Sequence, residues 1–287
     1  MPAADSDRDD HIRAWRNVVG RVIDLHSHVL PGIDDGPADI AGSLALARVA
    51  AAGGTTVLVA TPHVNWRYRN EPEGIAARVQ ELNGRLIAEQ VRTADGTQLQ
   101  VRPGAEIALT LVGELDPAQL SALSLGGGPW LLVEPPFAPV AANLDGILRE
   151  LQDRGHRLVL AHPERCPAFQ RDRSLLRRIV RSGVLTSVTA GSFAGSFGGE
   201  ARELALALAR EGMLHNVASD AHDAVHRPPT IAPELEQAGL APLRVWLTEQ
   251  VPGAILESAE VPPRPAAAVV EVDEPQRSSR WRLLRRA

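Results

Sequence analysis

Residues 24–36 read DLHSHVLPGIDDG and follow a short apolar run. Asp24, His26 and His28 are two positions apart, so on a strand their side chains all project from one face. Two imidazoles at a strand end, with an acidic pair in the loop beyond, are typical of a divalent-metal site. A bare histidine pair is more often structural, so this interpretation depends on whether other strands end in similar residues.

The remainder of the chain alternates short β-rich runs with longer helical patterns. The candidate strands are Val22–His28, Thr55–His63, Leu99–Ile107, Trp130–Pro135, Arg157–Pro163, Leu185–Ala190 and Asn216–Asp220. The candidate helices are Asp39–Ala52, Pro72–Arg92, Pro117–Leu123, Asn143–Arg154, Arg173–Ser182, Gly199–Glu211 and Ala241–Glu257, the last broken at Pro252-Gly253. Repeated βα units predict a parallel sheet with right-handed crossovers, and seven strands favour a closed or nearly closed TIM-like barrel. A doubly wound open sheet is the alternative, which the absence of a GxGxxG motif after the first strand weakens.

Composition limits the classes of protein that fit. The chain has 287 residues, of which 44% are hydrophobic, which suits one large barrel domain or two small domains. Its net charge of -5 and aromatic content of 3% argue against nucleic acid as a partner. Cys166 is the only cysteine, so no internal disulfide can form, and a cytoplasmic location is the simplest expectation. Neither a secretory signal nor a membrane-spanning run is evident.

The two ends differ in composition from the body of the chain. Residues 1–20 are predicted to form a flexible acidic extension, and residues 21–258 a single barrel domain. Residues 259–287 are rich in proline and end in arginines, which predicts a disordered tail. Contact of this basic end with an acidic lipid surface or a partner is the weaker alternative to an inert tail.

Six of the seven candidate strands end in side chains that can bind metals. These residues are His26, His28, His63, Glu106, Glu134, His162, Asp220 and His222, and Asp35 in the first loop makes nine. In a βα barrel, the carboxyl ends of the strands meet on one face, where active sites are built. A glutamate that follows the apolar run LLV is costly to bury unless it is paired or bound to metal. The sequence therefore predicts a site for several metal ions at the mouth of a barrel.

The chain resembles the PHP (polymerase and histidinol phosphatase) superfamily. Within it, the chain is most similar to the bacterial CpsB/YwqE-type protein-tyrosine phosphatases of capsule and exopolysaccharide systems. The matching segments are DLHSHVLPGIDDGPADIAGSLALARVAAAGGTTVLVATPH, RPGAEI, LLVE, VLAHPER and NVASDAHDAVHRPP, within about residues 22–258. The DDG after HxH, the AHPER and the ASDAH…RPP are more specific signals than the HxH alone.

The resemblance implies a distorted (β/α)7 PHP barrel that holds three divalent ions, manganese first, with iron or zinc as alternatives. The first ion would bind His26, His28, Glu106 and Asp220; the second would share Glu106 and add Glu134 and His162; the third would bind Asp35, His63 and His222. Arg165 and Arg227 match family arginines that face the substrate phosphate. Asp24 would orient a ligating histidine, while Asp220 and His222 are the nearest candidates to protonate the leaving group.

The activity implied is that of a metal-dependent phosphomonoester hydrolase, working by attack of metal-activated hydroxide. The substrate expected from the resemblance is the phosphotyrosyl tail of a bacterial tyrosine kinase of capsule or exopolysaccharide synthesis. Three alternatives remain: a small-molecule phosphatase such as a histidinol-phosphate phosphatase, a PHP exonuclease, and a metal-bound scaffold without turnover. The absence of a basic groove disfavours the nuclease, and the complete set of ligand-type residues disfavours the scaffold. The oligomeric state is left open.

Overall fold

A computed structural model describes residues 21–139 and 143–266 of the chain. Nine parallel strand segments alternate with helices. The strands are β1 (Val22–Ser27), β2 (Thr55–Ala60), β3 (His63–Val64), β4 (Gln100–Pro103), β5 (Glu106–Ala108), β6 (Trp130–Glu134), β7 (Arg157–Ala161), β8 (Leu185–Thr189) and β9 (Asn216–Ala218). They form two sheets, in the order β1-β2-β4 and β3-β5-β6-β7-β8-β9.

Contacts between β1 and β9 bring the two sheets together. Ser27 and Ala221 form an isolated parallel bridge, and the amide of His28 donates to the carbonyl of Ala221 at 2.8 Å. Asp24 adds a side-chain link, because its Oδ1 accepts the amide of Ser219 at 3.0 Å. The predicted single-domain α/β barrel is confirmed, and these contacts place the first and last strands side by side.

The second and third predicted strands are each interrupted, which corrects two continuous predictions. The second breaks into β2 and β3 at Thr61-Pro62, where proline has no amide to donate to a neighbouring strand. The third breaks into β4 and β5 at Gly104-Ala105. A Cβ at Gly104 would lie 3.0 Å from Val59 Cγ1, so the close packing at this break favours glycine.

The helices cover the outside of the strands. They are α1 (Ile40–Ala52), α2 (Pro72–Ala88), α3 (Pro117–Ala122), α4 (Leu144–Asp153), α5 (Pro167–Arg171), α6 (Arg173–Arg181), α7 (Ala190–Ala194), α8 (Gly199–Arg210), α9 (Ala232–Gln237) and α10 (Val251–Leu256). The short helices α5, α7 and α9 were not predicted, and α2 ends four residues earlier than expected. Strands such as β7 are buried from their second residue to their last, as expected when side chains pack on both faces.

The last predicted helix is continuous but irregular. A 3-10 turn at Ala241–Leu243 leads to a π-helical turn at Trp246–Gln250 and then to α10. Pro252 lies in the first turn of α10, where its missing N–H and its ring disfavour the usual hydrogen bond to the preceding turn. The predicted break is therefore a change of helical pitch.

The predicted tail begins with residues that contact the barrel. The indole Nε1 of Trp246 donates to the carbonyl of Pro262 at 3.0 Å, and Arg264 Nη1 donates to the carbonyl of Ala209 at 2.8 Å. Val261 packs against the hydrophobic core. The predicted acidic extension at residues 1–20 and the arginine-rich end at 267–287 lie outside the described residues. Across the described ranges, no helix is both long and apolar enough to cross a membrane.

Candidate metal centre

All nine predicted ligands meet at one end of the barrel, where most of them end or follow a strand. His63 and Glu106 instead begin β3 and β5, directly after the breaks that follow β2 and β4. Their nitrogen and oxygen atoms fall into four overlapping groups, each with its ligand atoms within 4.8 Å of one another. The groups are His28-Asp35-His63-His222, His26-His28-Asp220, His26-Glu106-His162 and His63-Glu106-Glu134. The nine side chains that the sequence analysis selected therefore do lie close together. Their role as metal ligands stays a prediction.

The groups resemble the predicted three-ion arrangement but share more members. Glu106 Oε1 lies 2.7 Å from His162 Nε2, while its Oε2 lies 3.4 Å from both His26 Nε2 and His28 Nε2. Glu106 thus belongs to two of the four groups and could offer an oxygen to each. His28 also joins the group of Asp35, His63 and His222, to which the family pattern did not assign it.

Several buried polar atoms of this cluster lack hydrogen-bond partners. They are His63 Nδ1, Glu106 Oε2 and His162 Nδ1. His63 Nδ1 and Glu106 Oε2 are only 2.9 Å apart, yet they make no hydrogen bond. Lone pairs buried without a donor are costly, and a cation would satisfy those of His63 Nδ1 and Glu106 Oε2, which face each other within the cluster. Imidazole and carboxylate donors together suit manganese, iron or zinc, so the residues fit a divalent metal.

The pKa values of two carboxylates in the cluster also favour a bound cation. Burial alone would raise the pKa of Glu106, but the neighbouring imidazoles, His26 first, hold that pKa well below its usual value. Glu134 behaves oppositely: burial and then the charge of Glu106 raise its pKa to about 8. Two carboxylates that oppose each other's ionisation are a common arrangement where a cation is bound.

Asp34 orients His28, a role that the sequence interpretation gave to Asp24. Asp34 Oδ2 lies 2.7 Å from His28 Nδ1 and accepts the amide of His63 at 3.1 Å. A hydrogen bond to one imidazole nitrogen fixes the tautomer that presents the other. Asp24 instead accepts backbone amides from His26 and Ser219 and joins two strands. The sequence signal for Asp34 was its place in the acidic pair of the first loop.

Arg165 and Arg227 converge on one oxygen beside the cluster. Arg165 Nη1 lies 2.5 Å and Arg227 Nη2 2.7 Å from Asp220 Oδ2. The other oxygen of Asp220 faces the imidazoles of His26 and His28, at 3.5 and 3.4 Å. The two guanidiniums, predicted from separate motifs, therefore lie together at the edge of the cluster.

Aromatic rings, which the sequence interpretation did not assign to the site, flank these guanidiniums. Arg165 Cζ is 4.4 Å from the ring centroid of Phe197 and 5.4 Å from that of Phe137, and Arg227 Cζ is 5.7 Å from Phe197. Phe137 also stacks on His162, with ring centroids 5.5 Å apart. These contacts restrict both arginines to the side of the cluster. No motif in the sequence distinguished the two phenylalanines from core residues.

A buried turn presents His162 and Arg165. His162 has a φ of 29°, and the 3-10 turn Pro163–Arg165 follows it directly. Glu164 anchors this turn, because its Oε1 accepts the amide of Thr189 at 3.0 Å and the hydroxyl of Ser192 at 2.7 Å. Cys166 follows the turn and is buried, which raises the pKa of its thiol. A buried thiol with a raised pKa is a poor nucleophile.

A βα barrel that carries such a cluster at one end is typical of metal-dependent hydrolases. The family model for capsular polysaccharide synthesis, CpsB/CapC, matches residues 22–238, and the chain belongs to this family. This confirms the resemblance drawn from the sequence.

Two relatives carry the names of tyrosine-protein phosphatases. The chain is 38% identical to the tyrosine-protein phosphatase YwqE of Bacillus subtilis, over 70% of this chain and 78% of the relative. It is 31% identical to the putative tyrosine-protein phosphatase CapC of Staphylococcus aureus, over 72% of this chain and 79% of that one. A solved structure from a study of YwqE and of CpsB from Streptococcus pneumoniae, both metal-dependent tyrosine phosphatases, aligns with a TM-score of 0.70 at 32% identity. That alignment covers 86% of this chain and all of the solved one.

Proposed function

We propose that this chain is a metal-dependent protein-tyrosine phosphatase. The observation that carries the proposal is the convergence of Arg165 and Arg227 beside a cluster of nine histidine and carboxylate residues. Arginine pairs recognise the oxygens of a phosphoryl group, and clusters of this composition hold divalent cations. The names of the relatives, which are tyrosine-protein phosphatases, support the same activity.

The nine residues of the cluster would hold three divalent ions, of which manganese is the first choice and iron or zinc the alternatives. When bound, these ions would neutralise the phosphoryl charge and activate a water at neutral pH. Arg165 and Arg227 would grip the remaining phosphoryl oxygens and stabilise the charge that develops during transfer. Phe137 and Phe197 hold the guanidiniums in place for this contact.

The leaving group explains why phosphotyrosine suits this site. A tyrosine hydroxyl has a pKa of about 10, so its phenolate departs with little help from a general acid. His222 and Asp220 remain the nearest groups that could supply a proton, although both also belong to the ligand set. The proposed substrate is the phosphorylated tail of a bacterial tyrosine kinase in capsule or exopolysaccharide synthesis, in the cytoplasm. The family's link to capsule synthesis supports that partner.

A side-by-side assay tests the proposal against a small-molecule phosphatase. A phosphotyrosyl peptide and histidinol phosphate are offered to the protein with manganese added. We expect a kcat/KM at least about tenfold higher for the peptide, and loss of turnover in EDTA that manganese restores. Faster hydrolysis of histidinol phosphate would favour the small-molecule phosphatase. Turnover that survives complete removal of metal would contradict the mechanism.

Replacement of Arg165 tests the phosphate contact separately from metal binding. Arg165→Ala should lower kcat/KM on the peptide, because it removes a charge-assisted contact. That contact should stabilise the transition state by about 2–4 kcal/mol. Metal content, measured by elemental analysis, should stay at the wild-type level. Arg181→Ala, on an exposed position of α6, is the matched control. Wild-type kinetics in the Arg165 variant would show that this arginine is structural.

A further inference from the structure

An open groove lies beside the candidate metal centre. It has a volume of about 360 Å³, and Glu134, a member of the cluster, is one of the residues that line it. Pro136 and Phe137 form one wall, and Trp66 and Arg67 line the groove as well. Phe137 reaches the phosphate side, because its ring lies against both His162 and Arg165. A ligand whose phosphoryl group met Arg165 would therefore place its adjoining atoms in this groove.

The loop at residues 65–69 carries two arginines that make no ion pair. Arg67 Cζ lies 5.0 Å from the ring centroid of Tyr68, and Arg69 Cζ lies 4.5 Å from that of Trp66. Among the described residues, no carboxylate oxygen lies within 4.0 Å of either guanidinium. Trp66 is 56% exposed, which is unusual for so large an apolar side chain. The loop thus presents two positive charges and an aromatic surface to solvent.

The loop is rigid enough to act as a preformed surface. Asn65 Oδ1 accepts the amides of Arg67 and Tyr68, each at 2.9 Å, and Val64 forms an antiparallel bridge with Arg69. Tyr68 stacks on His63 with ring centroids 5.9 Å apart and an interplanar angle of 7°. A surface that is ordered before binding loses little entropy when a ligand docks. These contacts also fix the loop relative to the metal centre.

We propose that Trp66, Arg67 and Arg69 form a docking surface for an acidic polypeptide segment next to the phosphotyrosine of the substrate. This inference rests on the proposed phosphatase function. The phosphotyrosine would approach Arg165 along Phe137, and carboxylates of neighbouring residues would meet Arg67 and Arg69. Charge complementarity at the rim of an interface selects partners and accelerates their association. The net charge of -5 opposes the approach of an acidic segment, so the attraction would come locally from Arg67 and Arg69, which pair with no carboxylate among the described residues.

Three substrates separate docking from chemistry. The first is a phosphotyrosyl peptide with aspartate and glutamate on both sides of the phosphotyrosine. The second is the same peptide with glutamine and asparagine in their place, and the third is p-nitrophenyl phosphate, which is too small to reach the loop. With manganese added at low ionic strength, the wild-type protein should show a kcat/KM about tenfold higher for the acidic peptide than for the neutral one. The preference should shrink as salt is raised, because exposed charges are screened.

Charge reversal at the loop identifies the groups responsible. The double variant Arg67→Glu/Arg69→Glu should lose the preference for the acidic peptide, with about a tenfold or greater fall in kcat/KM on that substrate. The neutral peptide should change little, and p-nitrophenyl phosphate should be hydrolysed at the wild-type rate. Arg181→Glu is the matched control, because Arg181 is exposed at the end of α6. Helices of a βα barrel end at the face opposite the site, so this control should leave all three substrates unaffected.

Any of three other outcomes would contradict the proposal that the loop docks an acidic segment. Equal use of the acidic and neutral peptides by the wild-type protein would show that no carboxylates are recognised. An equal fall on both peptides in the double variant would assign the loop to general peptide contact. A parallel fall on p-nitrophenyl phosphate would mean that the loop supports the metal centre through Tyr68. In the first two cases, continued hydrolysis of p-nitrophenyl phosphate would leave the proposed phosphatase activity standing.

Discussion

At the scale of single residues, Glu106 is the carboxylate around which the cluster is arranged. One of its oxygens faces His162, and the other faces His26, His28 and His63. The residue is fully buried at the start of β5, so neither oxygen is exposed to bulk water. A buried carboxylate with four imidazole neighbours is stable only if those imidazoles carry protons or the site carries cations. Nδ1 of His63, which lies 2.9 Å from Glu106 Oε2 without a hydrogen bond, favours cations.

Glu106→Gln should therefore remove metal and activity together. The amide keeps the shape of the side chain but not the negative charge that two ions would share. We expect a loss of bound metal by elemental analysis and a fall in kcat on the order of 100-fold or more. Glu114→Gln, outside the cluster, serves as the control. Full metal content together with full turnover in the Glu106 variant would show that this carboxylate is not a shared ligand.

His215 couples stability to pH away from the metal centre. Its Nδ1 accepts the amide of Thr186 at 3.2 Å, which requires the neutral ring. Burial, followed by the charge of Arg264, lowers the pKa of His215 to about 4. The unfolded chain has a histidine pKa near 6.5 and therefore binds more protons between about pH 6.5 and 4. The free energy of unfolding should thus decrease as the pH falls through this window.

The His215→Asn variant isolates that contribution. The asparagine oxygen can accept the same amide but does not titrate. Between pH 7 and 4.5, the wild-type protein should lose on the order of 2 kcal/mol more stability than the variant, measured by urea denaturation. Parallel pH profiles for the two proteins would show that His215 is solvated and titrates normally in the folded state.

At the scale of elements, the free edge of β4 is covered by a side chain rather than by a strand. Asn83 on α2 donates from Nδ2 to the carbonyl of Val101 at 2.8 Å, and its Oδ1 accepts the amide of Val101 at 2.8 Å. The 3-10 turn Leu125–Gly127 also contacts β4, because Arg102 Nη2 donates to the carbonyl of Gly126 at 3.1 Å. Polar cover of this kind satisfies an edge that would otherwise pair with another chain.

Asn83→Ala should destabilise the barrel at this edge. The change leaves a donor and an acceptor of Val101 unpaired in a buried position, which costs about 2–4 kcal/mol. Gln80→Ala, at an exposed position of the same helix, should change stability by less than about 0.5 kcal/mol. Chemical denaturation of the three proteins measures the difference. Equal stability of the two variants would mean that water replaces the amide at no cost.

The interrupted strands show which features of the elements could be predicted from the sequence and which could not. The alternation of β and α patterns predicted the order of the elements, because burial on both faces produces continuous apolar runs. It missed the gap at Thr61-Pro62, although Pro62 is a local signal for one, and it could not predict the gap at Gly104-Ala105, which depends on packing against Val59, distant in the chain. The same limit applies to the site. Predicted strand ends pointed to eight of the cluster residues and the acidic pair of the first loop to the ninth, Asp35. Phe137 and Phe197 came near the arginines only through tertiary packing.

At the scale of the whole molecule, chemistry and stability are separated between the two ends of the barrel. The candidate metal centre and the two arginines beside it lie at the end of the barrel where most strands end. The segment that follows α10 lies at the other end: Ala259 accepts from Arg157, the first residue of β7, and Arg264 reaches Ala209, near the end of α8. In barrels of this kind, the amino-terminal face of the strands contributes to stability and the carboxyl-terminal face to function.

Two shortened chains test this division. A chain that ends at Ala266 should match the full-length protein in stability, because it keeps the contacts of Val261, Pro262 and Arg264. A chain that ends at Glu260 loses the partly buried apolar contact of Val261 and two hydrogen bonds, so its free energy of unfolding should fall by about 2–3 kcal/mol. Both should hydrolyse p-nitrophenyl phosphate at the full-length rate when manganese is added, because the lost contacts lie at the end of the barrel away from the metal centre. Equal melting temperatures for the two shortened chains would show that residues 261–266 contribute nothing to stability. A loss of turnover confined to the chain ending at Glu260 would instead show that this segment supports the metal centre through the length of the barrel.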